Sequence, residues 1–159
     1  MKIREFELYI QDLLDHPEVQ RLHQVTQHHF SRNRYEHSYA VAKLSYRLTR
    51  LVHGNAMIAA RAGFLHDWYH DHDPHFRKWF RPDTHHFRKS VEAASAYGEH
   101  DEVIHAIRTH YWPYGRMMPR TREAWIVWMS DNLIWFVDAW QSLKRSLQHN
   151  WRYLIHGST

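Results

Sequence analysis

The chain has 159 residues, a formal net charge of +4 and no cysteine, and 43% of its residues are hydrophobic. Disulfides, zinc-thiolate sites, iron–sulfur clusters and cysteine nucleophiles are therefore excluded. With 5 Gly, 5 Pro and 15% aromatic residues, the composition predicts one packed, mostly helical domain, because strands would need more turn residues and more β-branched alternation. The modest positive charge fits phosphate-bearing small molecules as well as nucleic acid.

Charged residues occupy the N-terminus, Met1 to Phe6, where a secretion signal would need an apolar run. Elsewhere in the sequence, no segment approaches the roughly 18 uninterrupted apolar residues of a membrane-spanning helix. We therefore expect a soluble, cytoplasmic protein without a membrane partner.

The first predicted elements form a helical hairpin over residues 1–32. Apolar residues at helical spacing indicate one helix from Lys2 to Leu14. Pro17 is placed to begin the second helix, which runs to about Phe30.

A third helix is predicted from about Tyr35 to Val52, and His37 shares its apolar face. Taken alone, this histidine is better interpreted as a hydrogen-bonded core residue than as a ligand. The helix that follows is small and apolar, and it ends in His66 and Asp67. A carboxylate there is costly unless it is paired, hydrogen-bonded or bound to a cation, so we interpret the dipeptide as part of a metal site.

The segment from Trp68 to Thr84 is the one long irregular connection, and such connections are usually functional or mobile. Four residues that could bind a metal lie near its start: His70, Asp71, His72 and Asp73. They offer a second metal site, although a solvated polar loop is the favoured interpretation. Three basic residues among aromatic ones follow: Arg77, Lys78 and Arg81. These are candidates for phosphate binding, and the alternative is a loop pinned to the surface by its aromatic side chains.

Two helices are predicted next, one from about His86 to Gly98 and one that ends at His110. The longest helix is predicted from about Thr121 to Trp140, and a weaker helix from Leu143 to Ile155. Asp131 lies in the middle of the long aromatic helix, where a carboxylate needs a partner that a metal would supply.

Six candidate ligands follow one another along the chain: His37, His66, Asp67, His86, His110 and Asp131. In this order the sequence resembles the HD-domain phosphohydrolase superfamily from about Tyr35 to Asp138. The strings that carry the resemblance are Tyr35-Glu36-His37-Ser38, Gly63-Phe64-Leu65-His66-Asp67, Ser90-Val91-Glu92-Ala93-Ala94 after His86, His110-Tyr111-Trp112-Pro113 and Ser130-Asp131-Asn132. They look most like small bacterial HD proteins, and they also resemble the subgroup that cleaves dinucleoside tetraphosphates symmetrically.

The sequence departs from the pattern of that subgroup at two places. The lysine often found shortly after the His-Asp pair is absent, and Asn132 replaces the lysine common after the last aspartate. Arg116, together with the basic residues of the long connection, is therefore a candidate for phosphate binding. We choose His86 over the adjacent His85 as a ligand because of the string that follows it.

The resemblance implies an all-α, single-domain helical bundle of the HD type, with about six to eight helices. Its metal-binding core would span residues 35–140, followed by a C-terminal helix and tail over residues 141–159. In the family pattern His37, His66, Asp67 and Asp131 hold one ion, and Asp67 bridges to a second ion on His86 and His110. Histidine-rich ligands favour Fe, Mn, Co or Zn over Mg.

The implied activity is metal-dependent hydrolysis of a phosphoester or phosphoanhydride, with a nucleotide or another small phosphorylated molecule as substrate. Water activated at the metals would attack phosphorus, with His66 and Asp67 as catalytic residues. One alternative is a non-catalytic sensor of metal or nucleotide, and another is a di-iron oxygenase, which a few relatives of this fold exemplify. Nucleic-acid binding ranks last, because the basic residues are dispersed among histidines and acids.

Overall fold

The computed structural model describes residues 3–25, 32–69 and 85–156, with side chains for 5–25, 32–69 and 87–148. Within these ranges the chain is all-α, as predicted, with eight α-helices and no β-strand. The α-helices are α1 (Ile3–Leu8), α2 (Gln11–Leu14), α3 (Pro17–Gln20), α4 (Arg34–Leu51), α5 (Ala56–Leu65), α6 (His85–Tyr97), α7 (Asp101–Thr109) and α8 (Arg122–His156). A short 3-10 helix, Arg21–Gln24, directly follows α3.

The N-terminal helices are shorter than predicted. The first predicted helix is divided into α1 and α2 because Ile10, with a φ of −127°, leaves the helical path and inserts into the core. The second begins at Pro17 as expected but ends as the 3-10 helix at Gln24. Val25 is extended there and accepts a hydrogen bond from the backbone N–H of Arg34 at 2.8 Å. The predicted end of that helix, up to Phe30, lies outside the described residues.

The C-terminal helix α8 is one continuous helix of 35 residues. The predicted break between Trp140 and Leu143 is wrong, since the intervening residues Gln141 and Ser142 include no glycine or proline to interrupt the backbone hydrogen bonds. This helix packs against α4, α5 and α7, and α6 packs against α7. Among the described helices, none combines the length and apolar character that crossing a lipid bilayer requires.

The hydrophobic core joins the N-terminal helices to the larger bundle. Its largest fully buried apolar side chains are Phe6, Ile10, Leu13, Leu22, Ile58, Phe64, Leu65 and Ile107. Small residues of α5 occupy the centre of this core, including Ala59, Ala60 and Ala62. They let the neighbouring helices approach α5 closely, as its small and apolar sequence predicts.

A buried ionic network supports the same region of the bundle. The guanidinium of Arg61 donates to both carboxylate oxygens of Asp12 at 2.8 Å, to Glu99 and to the backbone carbonyl of Tyr9 at 2.9 Å. The side chain of Glu99 is only 3% exposed, so Arg61 compensates a carboxylate that has almost no access to water. The network joins α5 to α2 and to the turn before α7.

Candidate metal centre

Helix α4 presents His37 to the interior of the bundle. The helix begins with a capping box, in which Asn33 accepts from the backbone N–H of Glu36 at 2.8 Å and the Glu36 side chain accepts from that of Asn33 at 3.3 Å. This fixed start places His37 one turn into the helix, where it is 1% exposed. Its Nε2 lies 3.0 Å from Oδ1 of Asp131 on α8, 94 residues away in sequence.

Close packing of α5 on α4 brings the second histidine next to the first. A Cβ atom at Gly63 would lie 2.9 Å from the Cα of Ala42, so only glycine permits this approach. As a result the end of α5 meets the beginning of α4, and the ring centroids of His37 and His66 are 5.5 Å apart. The ring of His110, at the end of α7, lies 5.0 Å from that of His66.

Backbone carbonyl groups orient two of the three imidazoles. Nδ1 of His66 lies 2.9 Å from the carbonyl oxygen of Gly63, and Nδ1 of His110 lies 2.6 Å from that of Ile107. A carbonyl oxygen only accepts, so each Nδ1 donates its hydrogen to the carbonyl. In the neutral rings Nε2 therefore carries the lone pair, as in histidines that bind a metal through Nε2.

Two carboxylates complete the cluster. Asp67 is 4% exposed, with one oxygen 3.7 Å from Nε2 of His66 and the other 3.9 Å from Nε2 of His110. Oδ1 of Asp131 lies 3.4 Å from Nε2 of His66, in addition to its contact with His37. One ligand atom from each of His37, His66 and Asp67 fits within a group whose members all lie within 4.8 Å of one another.

The carboxylates reverse the usual effect of burial on the imidazoles. Burial works to lower the pKa of His37, but interactions with Asp131 and Asp138 outweigh it and raise the pKa to about 9. Burial also works to lower the pKa of His66, and the charges of Asp67 and Asp131 raise it. Burial works to raise the pKa of Asp131, and the positive charge of His66 together with a hydrogen bond from His37 lowers it. The carboxylates thus favour positive charge on or between these imidazoles.

Asp138 is a buried residue of the centre that we did not predict as a site residue. It is 3% exposed, and its Oδ2 lies 3.5 Å from Nδ1 of His37. Its Oδ1 lies 3.2 Å from a guanidinium nitrogen of Arg32. Asp138 follows Asp131 by seven residues, which is two helical turns, so the two acids share one face of an otherwise apolar helix. The seven-residue spacing of the two acids was the sequence feature from which Asp138 could have been predicted as a site residue.

The buried polar atoms of the cluster fit a divalent metal ion. Among the described residues, Nε2 of His66 is buried without a hydrogen-bond partner, although buried nitrogen atoms normally have one. The donors are imidazole nitrogens and carboxylate oxygens, which suit transition metals such as Fe, Mn, Co and Zn. A cation between Nε2 of His37 and Oδ1 of Asp131 would supply the positive charge that a proton otherwise supplies.

The remaining predicted site residues are described only in part. His85 and His86 begin α6, but their side chains lie outside the described set, so the choice between them stays open. Arg116 is exposed in the connection between α7 and α8, with a φ of 61°. The whole predicted set of the long connection also lies outside the described residues: His70, Asp71, His72, Asp73, Arg77, Lys78 and Arg81.

Fold and site together define an all-α protein with a buried His/Asp cluster of metal-binding type. Residues 34–135 match the family described as HD domain, and the chain belongs to that family. The chain is also similar to the crystal structure of the HD domain of the L. monocytogenes phosphodiesterase PgpH, with 17% sequence identity and a TM-score of 0.58. The similarity covers 77% of this chain and 74% of that chain, and at this identity it establishes a common fold.

Proposed function

We propose that the protein is a metal-dependent phosphohydrolase. The observation that carries the proposal is the cluster itself, in which His37, His66, Asp67 and Asp131 direct donor atoms at one another in the interior. Membership of the HD-domain family supports the same conclusion. We further propose a phosphoester or phosphoanhydride of a nucleotide, or of another small phosphorylated molecule, as the substrate.

In this proposal the four residues hold one divalent ion. One oxygen of Asp67 lies 3.7 Å from Nε2 of His66 and the other 3.9 Å from Nε2 of His110, which supports Asp67 as a residue that would hold a second ion together with His110 and His86. Bound divalent ions would lower the pKa of a water molecule at the site and neutralise charge on the phosphate oxygens. The protein supplies fixed ligands, because carbonyl groups hold two of its imidazoles, and burial strengthens every charge interaction in the centre.

Basic side chains are the proposed contacts of the substrate's phosphate group. Arg116 and the basic residues of the long connection, Arg77, Lys78 and Arg81, are the proposed phosphate contacts. A guanidinium pairs with two phosphate oxygens at once and fixes the orientation of the group. Replacement of Arg116 by alanine would then raise KM for the substrate more than it lowers kcat.

The first experiment measures metal content per chain by mass spectrometry on tag-free protein. The chain offers a matched pair of variants, since His66-Asp67 is buried and a second His-Asp dipeptide among the described residues, His100-Asp101, is exposed at the start of α7. We expect about two transition-metal ions in the wild type. The ions should be lost in Asp67→Ala and retained in Asp101→Ala.

The second experiment measures phosphate release from nucleotides and from simple phosphomonoesters and phosphodiesters, with the same three proteins. Hydrolysis that requires added metal and disappears only in Asp67→Ala is the expected result. Hydrolysis that survives Asp67→Ala would contradict the proposal. Metal bound without hydrolysis of any substrate would contradict the enzymatic role and leave a binding function for the site.

A further inference from the structure

The side of α8 that faces away from the bundle is apolar. We call it the outer face of α8, and it consists of Met129, Leu133, Phe136, Trp140, Leu143 and Leu147. Each of these side chains is between 39% and 62% exposed. With 3.6 residues per turn, they lie roughly 120° to 200° around the helix from Asp131, opposite the metal centre. One helix therefore carries the centre on one side and this face on the other.

From Met129 to Leu143 the outer face has no charged residue to keep it in water, and Lys144 lies beside its C-terminal end. From Ala124 to Leu143 the only charged residues are Asp131 and Asp138, and both point into the bundle. A surface helix normally places charged and polar residues on the side that faces solvent. Helix α8 departs from this rule over this stretch, because Asp138 is buried, Asp131 is largely buried, and the large apolar side chains are exposed.

The size of the face exceeds what an isolated protein usually exposes. Large apolar side chains have a surface of roughly 200 Å² each, so the six exposed fractions correspond to on the order of 650 Å². The largest apolar patch on a typical monomer is about 300 to 600 Å². A standard protein–protein interface buries about 800 Å² on each partner. The outer face alone supplies most of that area, and exposed Val137 beside it adds more.

We propose that the outer face of α8 pairs with the same face of a second copy of this chain. Its residues are spaced alternately by four and three positions from Met129 to Leu147, which is the seam that two helices need to pack side by side. A two-fold dimer requires a patch that is complementary to itself, and an uncharged apolar stripe meets that condition.

The residues that border the stripe favour a second copy of this chain as the partner over an anionic membrane. They are small or neutral over most of its length: Asn132, Val137, Ala139 and Ser146. A helix that binds anionic lipid carries lysines and arginines along its polar side, whereas from Met129 to Leu147 the only bases are Lys144 and Arg145, near one end of the stripe. An antiparallel pair would keep these bases of one copy away from those of the other.

The experiment measures the mass of tag-free protein in solution by sedimentation equilibrium. We expect twice the chain mass of 19.5 kDa for the wild type and the mass of one chain for Trp140→Glu and Phe136→Glu. The matched control is Leu51→Glu, which places the same charge at a leucine that is 75% exposed at the end of α4. It should remain a dimer, and circular dichroism checks that every variant is helical.

A second measurement does not depend on a disruptive charge. The sequence has no cysteine, so a single cysteine can report on burial. In Leu143→Cys, alkylation by a maleimide should slow about 10-fold as protein concentration rises and dimers form, by mass action. In Leu51→Cys the rate should not change with concentration.

Two results would overturn the proposal. A wild type that stays a single chain at roughly 100 µM would exclude the dimer, because weak interfaces of this size have dissociation constants in the micromolar range. The outer face would then be covered by lipid or by another part of the protein's own chain. A dimer that persists in both α8 variants would assign the contact to another surface. Neither result bears on metal binding, because the proposal does not rest on the hydrolase.

Discussion

The bundle contains two clusters of charge whose buried groups find partners in different ways. Around Arg61 the hydrogen bonding is complete within the chain, because its guanidinium donates to Asp12, Glu99 and a backbone carbonyl. Around His66 it is not, because Nε2 of His66 is buried without a hydrogen bond, and the nearby carboxylates raise the pKa values of His37 and His66.

The difference indicates what each cluster does. A network whose donors all have acceptors is complete and only stabilises the fold. A buried cluster of imidazoles and carboxylates in which a nitrogen lacks a hydrogen-bond partner has the groups that could hold a metal ion. Burial alone does not distinguish the two, since Glu99 and Asp67 have similarly small exposed side chains.

The largest expected effect is the response of the metal centre to metal. At a free concentration about 1,000 times its Kd, a transition-metal ion should raise the free energy of unfolding by about 4 kcal/mol, because it binds only the folded state. Urea unfolding with and without metal measures this difference. Asp67→Asn should abolish the increase and Asp101→Asn should keep it. An equal increase in both variants would place the metal elsewhere.

Loss of the arginine should be the most damaging change in the complete network. Arg61→Met leaves the Glu99 carboxylate buried without its partner, which should lower the free energy of unfolding by about 3 kcal/mol. Urea unfolding of the metal-free protein measures the loss. Arg47→Met, at an exposed arginine of α4, is the control and should change stability by less than about 0.5 kcal/mol. A similar loss in both variants would contradict the comparison.

The third prediction concerns the effect of the negative charge of Asp138 on the affinity of the site for metal. Asp138→Asn keeps the shape of the side chain but removes the charge next to Nδ1 of His37. Affinity for the metal should fall by about 10-fold to 100-fold, the usual effect of a residue that orients a ligand. Isothermal titration calorimetry measures the affinity, with Asp101→Asn as the control. Unchanged affinity would mean that Asp138 serves only to anchor Arg32.

The smallest expected effect is the pH dependence of the stability that Asp12 contributes through its ion pair with Arg61. The hydrogen bond from Arg61 lowers the pKa of Asp12 from its usual 3.8, although desolvation opposes the shift. Because the folded pKa lies below the unfolded one, this contribution is present above pH 3.8 and is lost as pH falls through the folded pKa. Asp12 is about half exposed, so solvent screening keeps the contribution below about 1 kcal/mol.

Acid unfolding of wild type and Asp12→Asn checks this expectation. The wild type should lose slightly more stability than the variant as pH falls below 3.8, and the two curves should have the same slope at neutral pH. Curves that remain parallel throughout acid conditions would show that Asp12 does not contribute through its charge.

Local signals were sufficient to predict the helices that carry the centre. Gly98 ends α6 with a φ of 87°, as predicted, and Asn55 is the type of residue that caps a helix such as α5. The sequence failed where packing overrides local preference, as at Ile10, which breaks the first helix to reach the core. The sequence-based prediction was also wrong in α8. The weak apolar pattern beyond Trp140 suggested that the helix ends there, but no glycine or proline interrupts it and the helix continues.

The sequence by itself determined the candidate ligand residues and the helices that bear them. The order of His37, His66, Asp67 and Asp131 along the chain was sufficient to suggest a metal site before any distance was known. Only the tertiary structure decided how these groups meet, because Gly63 lets α5 approach α4 and α8 spans the bundle to bring Asp131 within 3.0 Å of His37. Only the tertiary structure also distinguished the cluster around Arg61 from the cluster around His66. Whether each buried polar group has a hydrogen-bond partner depends on distances that no local sequence pattern encodes.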